Sequence, residues 1–384
     1  MAFCPWDERL FASAGEDETA RVWRDDAERE GRGRNPGGGG AALISPHGVC
    51  RGHKDEVVRV AWHPRMRLLA TGGAEGAVGV WRVAQPGDET PASAHDPDGG
   101  DVARVDTLGG HPEEVYGCAF VGDGAGGGPV LGTASGPDLH LWDLEASTLL
   151  SRVPPSDAGS TPTHPGEEVP ERWRPGYLFS LSSDGGARGF LGAASSDGAV
   201  RLWGHDSTGR TATGVAAVAA HPSTMACATA FLSAGDVLAS AGADGSVVLI
   251  DVRTMTPIKR VKAPCPLMGC CAVPTGGGGP SGWLAMCGTD GSVRVIDVSG
   301  VVAGVKVLKP PTGGPGEAEA TPLLCVAADQ NGRRIAAAGY APTPPPEGGP
   351  GRPVGKMGAL GQLGGFGAKK TPPAGINLWE ALAE

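Results

Sequence analysis

Nine histidines, nine cysteines and several glycine-rich loops are the parts of this chain with chemistry to offer. Each class has a spacing that a working site would require. A phosphate-binding loop needs Gly-x4-Gly-Lys followed by Ser or Thr where a helix begins. GRPVGKMG at 351–358 places Met357 after the Gly-Lys pair, and GAKKT at 367–371 lacks the spacing. No Gly-x-Ser-x-Gly elbow occurs, and GPSGW at 279–283 reads as a turn entering a strand. Cys265, Cys270 and Cys271 come nearest to a metal-binding group. No second pair accompanies them, and a structural zinc needs four converging ligands. With Cys118, Cys227 and Cys325 they read instead as small apolar residues of buried strands. An odd number of cysteines suits reduced thiols, hence a cytoplasmic or nuclear setting. His63, His164 and His205 stand in turns with no nucleophile beside them. The expectation is a protein without cofactor, metal or catalytic residues.

His53, His111 and His221 are different, because they hold matching places beside a fragment that is copied along the chain. The fragment is an apolar strand, a tight turn usually built on Asp-Gly, and a second strand ending in Trp or Ile. It reads LFASAGEDETARVW at 10–23, LLATGGAEGAVGVW at 68–81 and PVLGTASGPDLHLW at 129–142. It returns as GFLGAASSDGAVRLW at 189–203, VLASAGADGSVVLI at 237–250 and WLAMCGTDGSVRVI at 283–296. A seventh copy is split between RRIAAAGY, beginning at Arg333, and GINLW at 375–379. Ten positions separate Ser13 from Trp23, Thr71 from Trp81, Ala193 from Trp203, Ser240 from Ile250 and Met286 from Ile296. An acidic residue follows the first member of each pair by four: Asp17, Glu75, Asp197, Asp244 and Asp290.

These copies dictate the elements that hold them. Alternation in VRLW, VVLI and VRVI is the period of a strand. Asp-Gly at 197–198, 244–245 and 290–291 marks hairpins, because Gly accepts the positive φ such turns require. Further apolar strands flank the copies, among them VVRVAW at 57–62, VYGCAF at 115–120, YLFSLS at 177–182 and PIKRVKAP at 257–264. Four antiparallel strands per copy and seven copies predict an all-β fold, a seven-bladed β-propeller forming one domain over 1–384. The blades are expected at about 1–52, 53–110, 111–170, 171–220, 221–264, 265–316 and 317–384. Gly/Pro-rich loop insertions lengthen them at 25–41, 85–101, 155–175 and 341–374.

The pattern resembles the WD-repeat family. Its signature is a His in the turn leading into a blade, Ser or Thr in the second strand, Asp in the hairpin turn, and Trp-Asp closing the third strand. His53, Thr71 and Trp81 fit the second blade, with Glu75 in the Asp place. His111, Thr133 and Trp142 fit the third, where the hairpin is one residue short and Asp138 falls out of register. Asp197 and Trp203 belong to the fourth; His221, Ser240 and Asp244 to the fifth, with Ile250 replacing Trp; Asp290 to the sixth. The resemblance implies that all of these are structural repeat positions. It also implies a non-catalytic scaffold or adaptor that presents binding surfaces to other proteins within a multiprotein complex. On the same ground the insertions 155–175 and 341–374 share the upper face. Trp173, Arg174 and Tyr177 are partner-binding candidates there, being the residue types that dominate interface energetics.

Two other readings stand beside the first. LASAGADGSVVLIDVR at 238–253 resembles the segment that docks propellers onto the adaptor of cullin-4 ubiquitin ligases, with Asp251 and Arg253 at matching places. It would make the chain a substrate receptor. A propeller enzyme with a site in its central channel is the third reading, since residues drawn from several blades leave no local motif.

A net charge of −10 argues against a general binder of nucleic acid or anionic membrane. No apolar stretch approaches the ~18 residues that span a bilayer. MAFCPWDERLF lacks the basic segment and apolar core of a secretory signal. Family propellers draw the outer strand of the last blade from the N-terminus. Here AFCPW at 2–6 already occupies an inner strand and only EALAE follows Trp379. The last blade is therefore expected to lack its outer strand, with an extension upstream of Met1 the favoured explanation and a partner strand added at the open edge the alternative.

Overall fold

The computed structural model describes residues 1–25, 44–84, 101–121, 128–154, 176–232, 235–274, 282–298, 305–309, 322–339 and 377–380. Of the four insertions, only Asp25 and Asp101 fall among them. The described strands form six four-stranded antiparallel sheets and one three-stranded sheet, each with its strands in chain order. The first strand of each sheet is innermost: Ala2–Phe3, Val57–Trp62, Val115–Val121, Ser182–Ser183, Ala226–Leu232, Leu267–Val273 and Leu323–Ala328. Each lies against its counterparts in the neighbouring sheets, and the last lies against the first. The architecture is a β-propeller of six complete blades and a partial seventh. That partial blade comprises Leu323–Ala328, Arg334–Gly339 and Asn377–Glu380.

One expected strand is shorter than its sequence suggests. In YLFSLS only Ser182 of the segment joins a regular strand, and Leu178 makes an isolated bridge to Ser195. The hydroxyl of Ser180 accepts the Ala194 N–H at 3.4 Å, replacing a backbone partner and interrupting the ladder. Short polar side chains compete with the backbone in this way.

Apolar side chains are buried between blades as well as within them. Leu10 and Val22 of the first blade share a cluster with Val57, Val60 and Trp81 of the second. Leu139 and Leu141 of the third meet Leu191 and Trp203 of the fourth, and Leu202 of the fourth meets Leu238 and Ile250 of the fifth. Burying one such side chain is worth about 1.5–3 kcal/mol. Around the seam between the last blade and the first, charge joins the packing. Arg334 binds Asp329 of its own blade (Nε–Oδ2 2.9 Å) and Asp25 of the first (Nη1–Oδ2 3.1 Å). Its guanidinium also donates to the Glu8 carbonyl and lies 5.6 Å over the Phe3 ring.

The hairpin turns join neighbouring blades. The Gly198 carbonyl accepts the His221 N–H of the next blade at 2.8 Å, and that of Gly136 accepts the Leu178 N–H at 2.8 Å. Gly198 has φ 78°, and a Cβ there would sit 1.9 Å from the His221 carbonyl oxygen. Glycine is required by the turn and again by the approach of the neighbour. Gly198→Ala should destabilise the fold by about 2 kcal/mol or more. Urea unfolding is the measurement, with exposed Gly185, which has open space around it, as a milder control despite its own positive φ of 70°.

Candidate binding surface

Six blades carry variants of one polar unit near the hairpin turn among the described residues. In the second blade it is continuous. Trp81 Nε1 donates to Thr71 Oγ1 at 2.8 Å, and His53 Nε2 meets the same oxygen at 2.7 Å. His53 Nδ1 is 2.6 Å from Glu75 Oε1, so Glu serves in the Asp place. In the fifth blade His221 joins Ser240 and Asp244, both at 3.0 Å, and apolar Ile250 stands where the indole would be. The third blade keeps Trp142–Thr133 (3.1 Å) and His111–Thr133 (2.9 Å). There His111 Nδ1 turns to the Gly76 carbonyl at 3.1 Å, while Asp138 holds Arg152 at 2.8 Å instead. In the first blade Trp23 donates to Ser13 at 2.8 Å.

The fourth and sixth blades depart furthest. Ala193 offers no hydroxyl, and the indole nitrogen of wholly buried Trp203 is without a hydrogen-bond partner. Asp197 instead holds buried Arg201 at 2.6 Å. In the sixth blade Cys265 stands where the second, third and fifth have His. A side chain built on Gly73, Gly242 or Gly288 would strike His53, His221 or Cys265 respectively. Cys265 Sγ lies 3.5 Å from Arg294, which binds Asp290. The sequence reading missed this role, although Cys265 precedes Asp290 by nearly the distance that separates His221 from Asp244.

Hairpin carboxylates are matched with arginines from one of two strands. Arg21, Arg201 and Arg294 come from the third strand, four residues after Asp17, Asp197 and Asp290. Arg152 and Arg260 come from the outer strand, opposite His140 and Val248, and reach Asp138 and Asp244. Burial alone would raise the Asp244 carboxyl. Hydrogen bonds from Ser246 and the neighbouring His221 outweigh it and leave Asp244 below the usual range. Burial pushes His111 and His140 down to about 4, helped by the charge of His140 on the first and of Arg152 on the second.

Around the hub the innermost strands share a second device. The pairing register skips one residue in five blades, leaving Val58, Tyr116, Cys227, Met268 and Leu324 as bulges. Phe179 has the matching place in the fourth. Bulges re-aim side chains, and here Tyr116, Phe179, Cys227 and Met268 pack together with Met225, with Val58 and Tyr177 at the margin. Leu324 remains 47% exposed. Tyr177 is fixed by its own backbone: its N–H donates to Ser196 Oγ and its carbonyl accepts the Ser196 N–H, both at 2.8 Å. Trp173 and Arg174 lie outside the described residues. Asp251 caps the turn after the fifth blade's third strand, accepting the Arg253 N–H at 2.8 Å, and Arg253 points outward beside it.

The WD40 family model (WD domain, G-beta repeat) matches residues 44–82, which end inside the third strand of the blade with the continuous Trp81–Thr71–His53–Glu75 chain. The chain is a WD-repeat propeller protein. No curated protein matches it. WD40 propellers serve generally as platforms for binding other proteins. Among the described residues of this propeller, no three His, Cys, Asp or Glu side chains converge as a metal site would need.

Two measurements test the polar unit. Thr71→Ala strands the Trp81 and His53 nitrogens and should cost about 2–4 kcal/mol in urea unfolding, while Thr71→Ser keeps most of that. Ala193→Ser supplies the acceptor Trp203 lacks and should gain about 0.5–1.5 kcal/mol. The histidines predict a pH dependence. Their folded values near 4 lie below the ordinary 6.5, so the unfolded chain takes up protons that the folded one refuses. Their contribution is complete above pH 6.5 and is lost as pH falls toward 4, by up to about 1.4 kcal/mol per pH unit for each ring. Wild type and His140→Gln, compared at pH 7.5 and 5, should differ in slope, the variant being less acid-sensitive.

Proposed function

We propose that this WD-repeat propeller is a seven-bladed, non-catalytic interaction scaffold, the three-stranded sheet standing as its seventh blade. Its working surface is the face where the hairpin turns meet the turns leading into the innermost strands. The observation that carries the reading is Tyr177, half-buried, locked to Ser196 through both backbone groups, and close enough to Glu113 and Glu114 for their charges to act on its hydroxyl. A rigid tyrosine at a hub margin binds a partner at little entropic cost. Glu16 and Asp55 lie near Glu56, and their like charges add to burial in raising its carboxyl. A cationic segment would relieve that repulsion, so the partner class is a protein with a basic stretch. Nine unpaired cysteines support a reducing compartment, the cytoplasm or nucleus.

A second reading has an observation of its own. The Arg253 side chain is 65% exposed and held in place by Asp251. That suits the docking motif of a cullin-4 adaptor, and Arg253→Ala should abolish co-purification with the adaptor if the chain is a ligase receptor.

The scaffold reading is tested by affinity purification of wild type, Tyr177→Ala, a Glu113→Lys/Glu114→Lys pair, and Leu149→Ser on an outer strand. Partners with basic segments should be retained by wild type and Leu149→Ser and lost from the other two. Undiminished capture by both upper-face variants would overturn the proposal.

A further inference from the structure

Arg59 is a charged residue near the hub that no part of the scaffold reading uses. It rises from the innermost strand of the second blade, one residue after the Val58 bulge. Its Nε donates to the Tyr116 carbonyl at 2.7 Å and its Nη2 to the Phe179 carbonyl at 2.9 Å. Those carbonyls belong to the bulge positions of the third and fourth blades. A side chain that starts on the second blade and reaches both lies along the inner ends of three consecutive blades. Protein surrounds the guanidinium, yet the residue keeps some accessible surface. That combination places it in the central channel.

The charge there is poorly matched. A guanidinium stays protonated under any condition in which proteins fold. Burial pulls the Arg59 pKa down, and the titratable groups that act on it are the thiols of Cys118 and Cys325. Burial pushes the Cys118 thiol up to about 12, so it carries no charge near neutrality. No carboxylate among the described residues pairs with Arg59, in contrast to Arg21, Arg152, Arg201, Arg260, Arg294 and Arg334. Two carbonyl oxygens use two of its five donor hydrogens, leaving both hydrogens of Nη1 and one of Nη2. A half-buried cation with three donors unused is under-compensated, and a planar fork of donors matches an oxyanion.

We propose that the hub of this propeller binds a single small oxyanion, a phosphate or carboxylate group, on the remaining donors of Arg59. The site is independent of the upper-face carboxylates and of any protein partner. Arg59 serves as the anchor, and the Tyr116 and Phe179 carbonyls fix the plane of its guanidinium.

The test is calorimetric titration of the full chain with inorganic phosphate and, separately, with acetate, in chloride buffer of constant ionic strength. Saturable heat at one site is expected for at least one of the two, and the comparison tells phosphate from carboxylate. Arg59→Met should lower the affinity by roughly 10- to 100-fold, the range for hydrogen bonds to charged groups. Arg59→Lys, which keeps the charge without the fork, should fall between. Thermal unfolding gives a second readout: the anion should raise the wild-type midpoint above a matched chloride control and leave Arg59→Met unmoved. A chain carrying −10 overall has little general attraction for anions, so a specific response stands clear. No saturable heat in wild type, or equal responses in wild type and Arg59→Met, overturns the proposal. If Arg59→Met does not fold, wild type and Arg59→Lys decide it, equal affinities being the overturning result.

Discussion

Each blade of this propeller has two apolar faces, and only its neighbours can cover them. Val57 and Trp81 of the second blade pack with Leu10 of the first, while Val78 and Val80 of that same blade pack with Leu131 of the third. A blade taken alone would leave such side chains in water, at a cost per residue comparable with a sizeable part of a domain's whole stability. The ring is therefore cooperative, and its weakest seam matters most. Where the partial seventh blade meets the first, Arg334 ties Asp329 and Asp25 together and covers Phe3. A buried ion pair adds little net stability when compared with a packed apolar contact, but it is strict about geometry.

Within that frame, the polar units are variations on one problem: how to place a buried indole, a buried imidazole and a turn carboxylate without stranding any of them. The second blade solves it completely through Thr71 and Glu75. The third gives His111 the Gly76 carbonyl of the blade before it. The sixth discards both Trp and hydroxyl, with Met286 and Ile296 buried in their places and Cys265 in place of His. The fourth leaves Trp203 Nε1 unmatched, and its ion pair between Asp197 and Arg201 is among the most buried in the molecule. Arginine is drawn from the third strand or from the outer one, so the hairpin carboxylate is balanced by either route. This freedom explains how copies with such different residues keep one shape.

Function resides in what the repeats leave over. The bulges aim Tyr116, Phe179, Cys227 and Met268 at one another, which lines part of the hub with apolar surface and leaves Tyr177 at its edge. Among the described residues, Arg59 is held in the same region by two carbonyl dipoles. An acidic face outside and a cation within form two distinct electrostatic environments on one axis. The two proposed ligands, a basic protein segment and a small oxyanion, match them respectively.

The repeat was legible in the residues. Spacing from Thr71 to Trp81 and from Ser240 to Ile250 specified strand, turn and strand, because side chains alternate with period two and Asp-Gly closes a hairpin locally. The family resemblance named His53, Thr71, His221 and Ser240 as repeat positions, and their hydrogen bonds to one another came from the structure. Contacts between blades were not legible. Nothing near Gly198 announces that the His221 backbone will press against it, and nothing near Arg59 says that its partners lie 57 and 120 residues away. Cys265 read as a strand thiol until the ring set it against Asp290 and Arg294. Local order depends on short-range sterics and hydrogen bonding, which a sequence states directly. The charge balance of the hub depends on which distant strands converge there, and only the closed tertiary structure decides that.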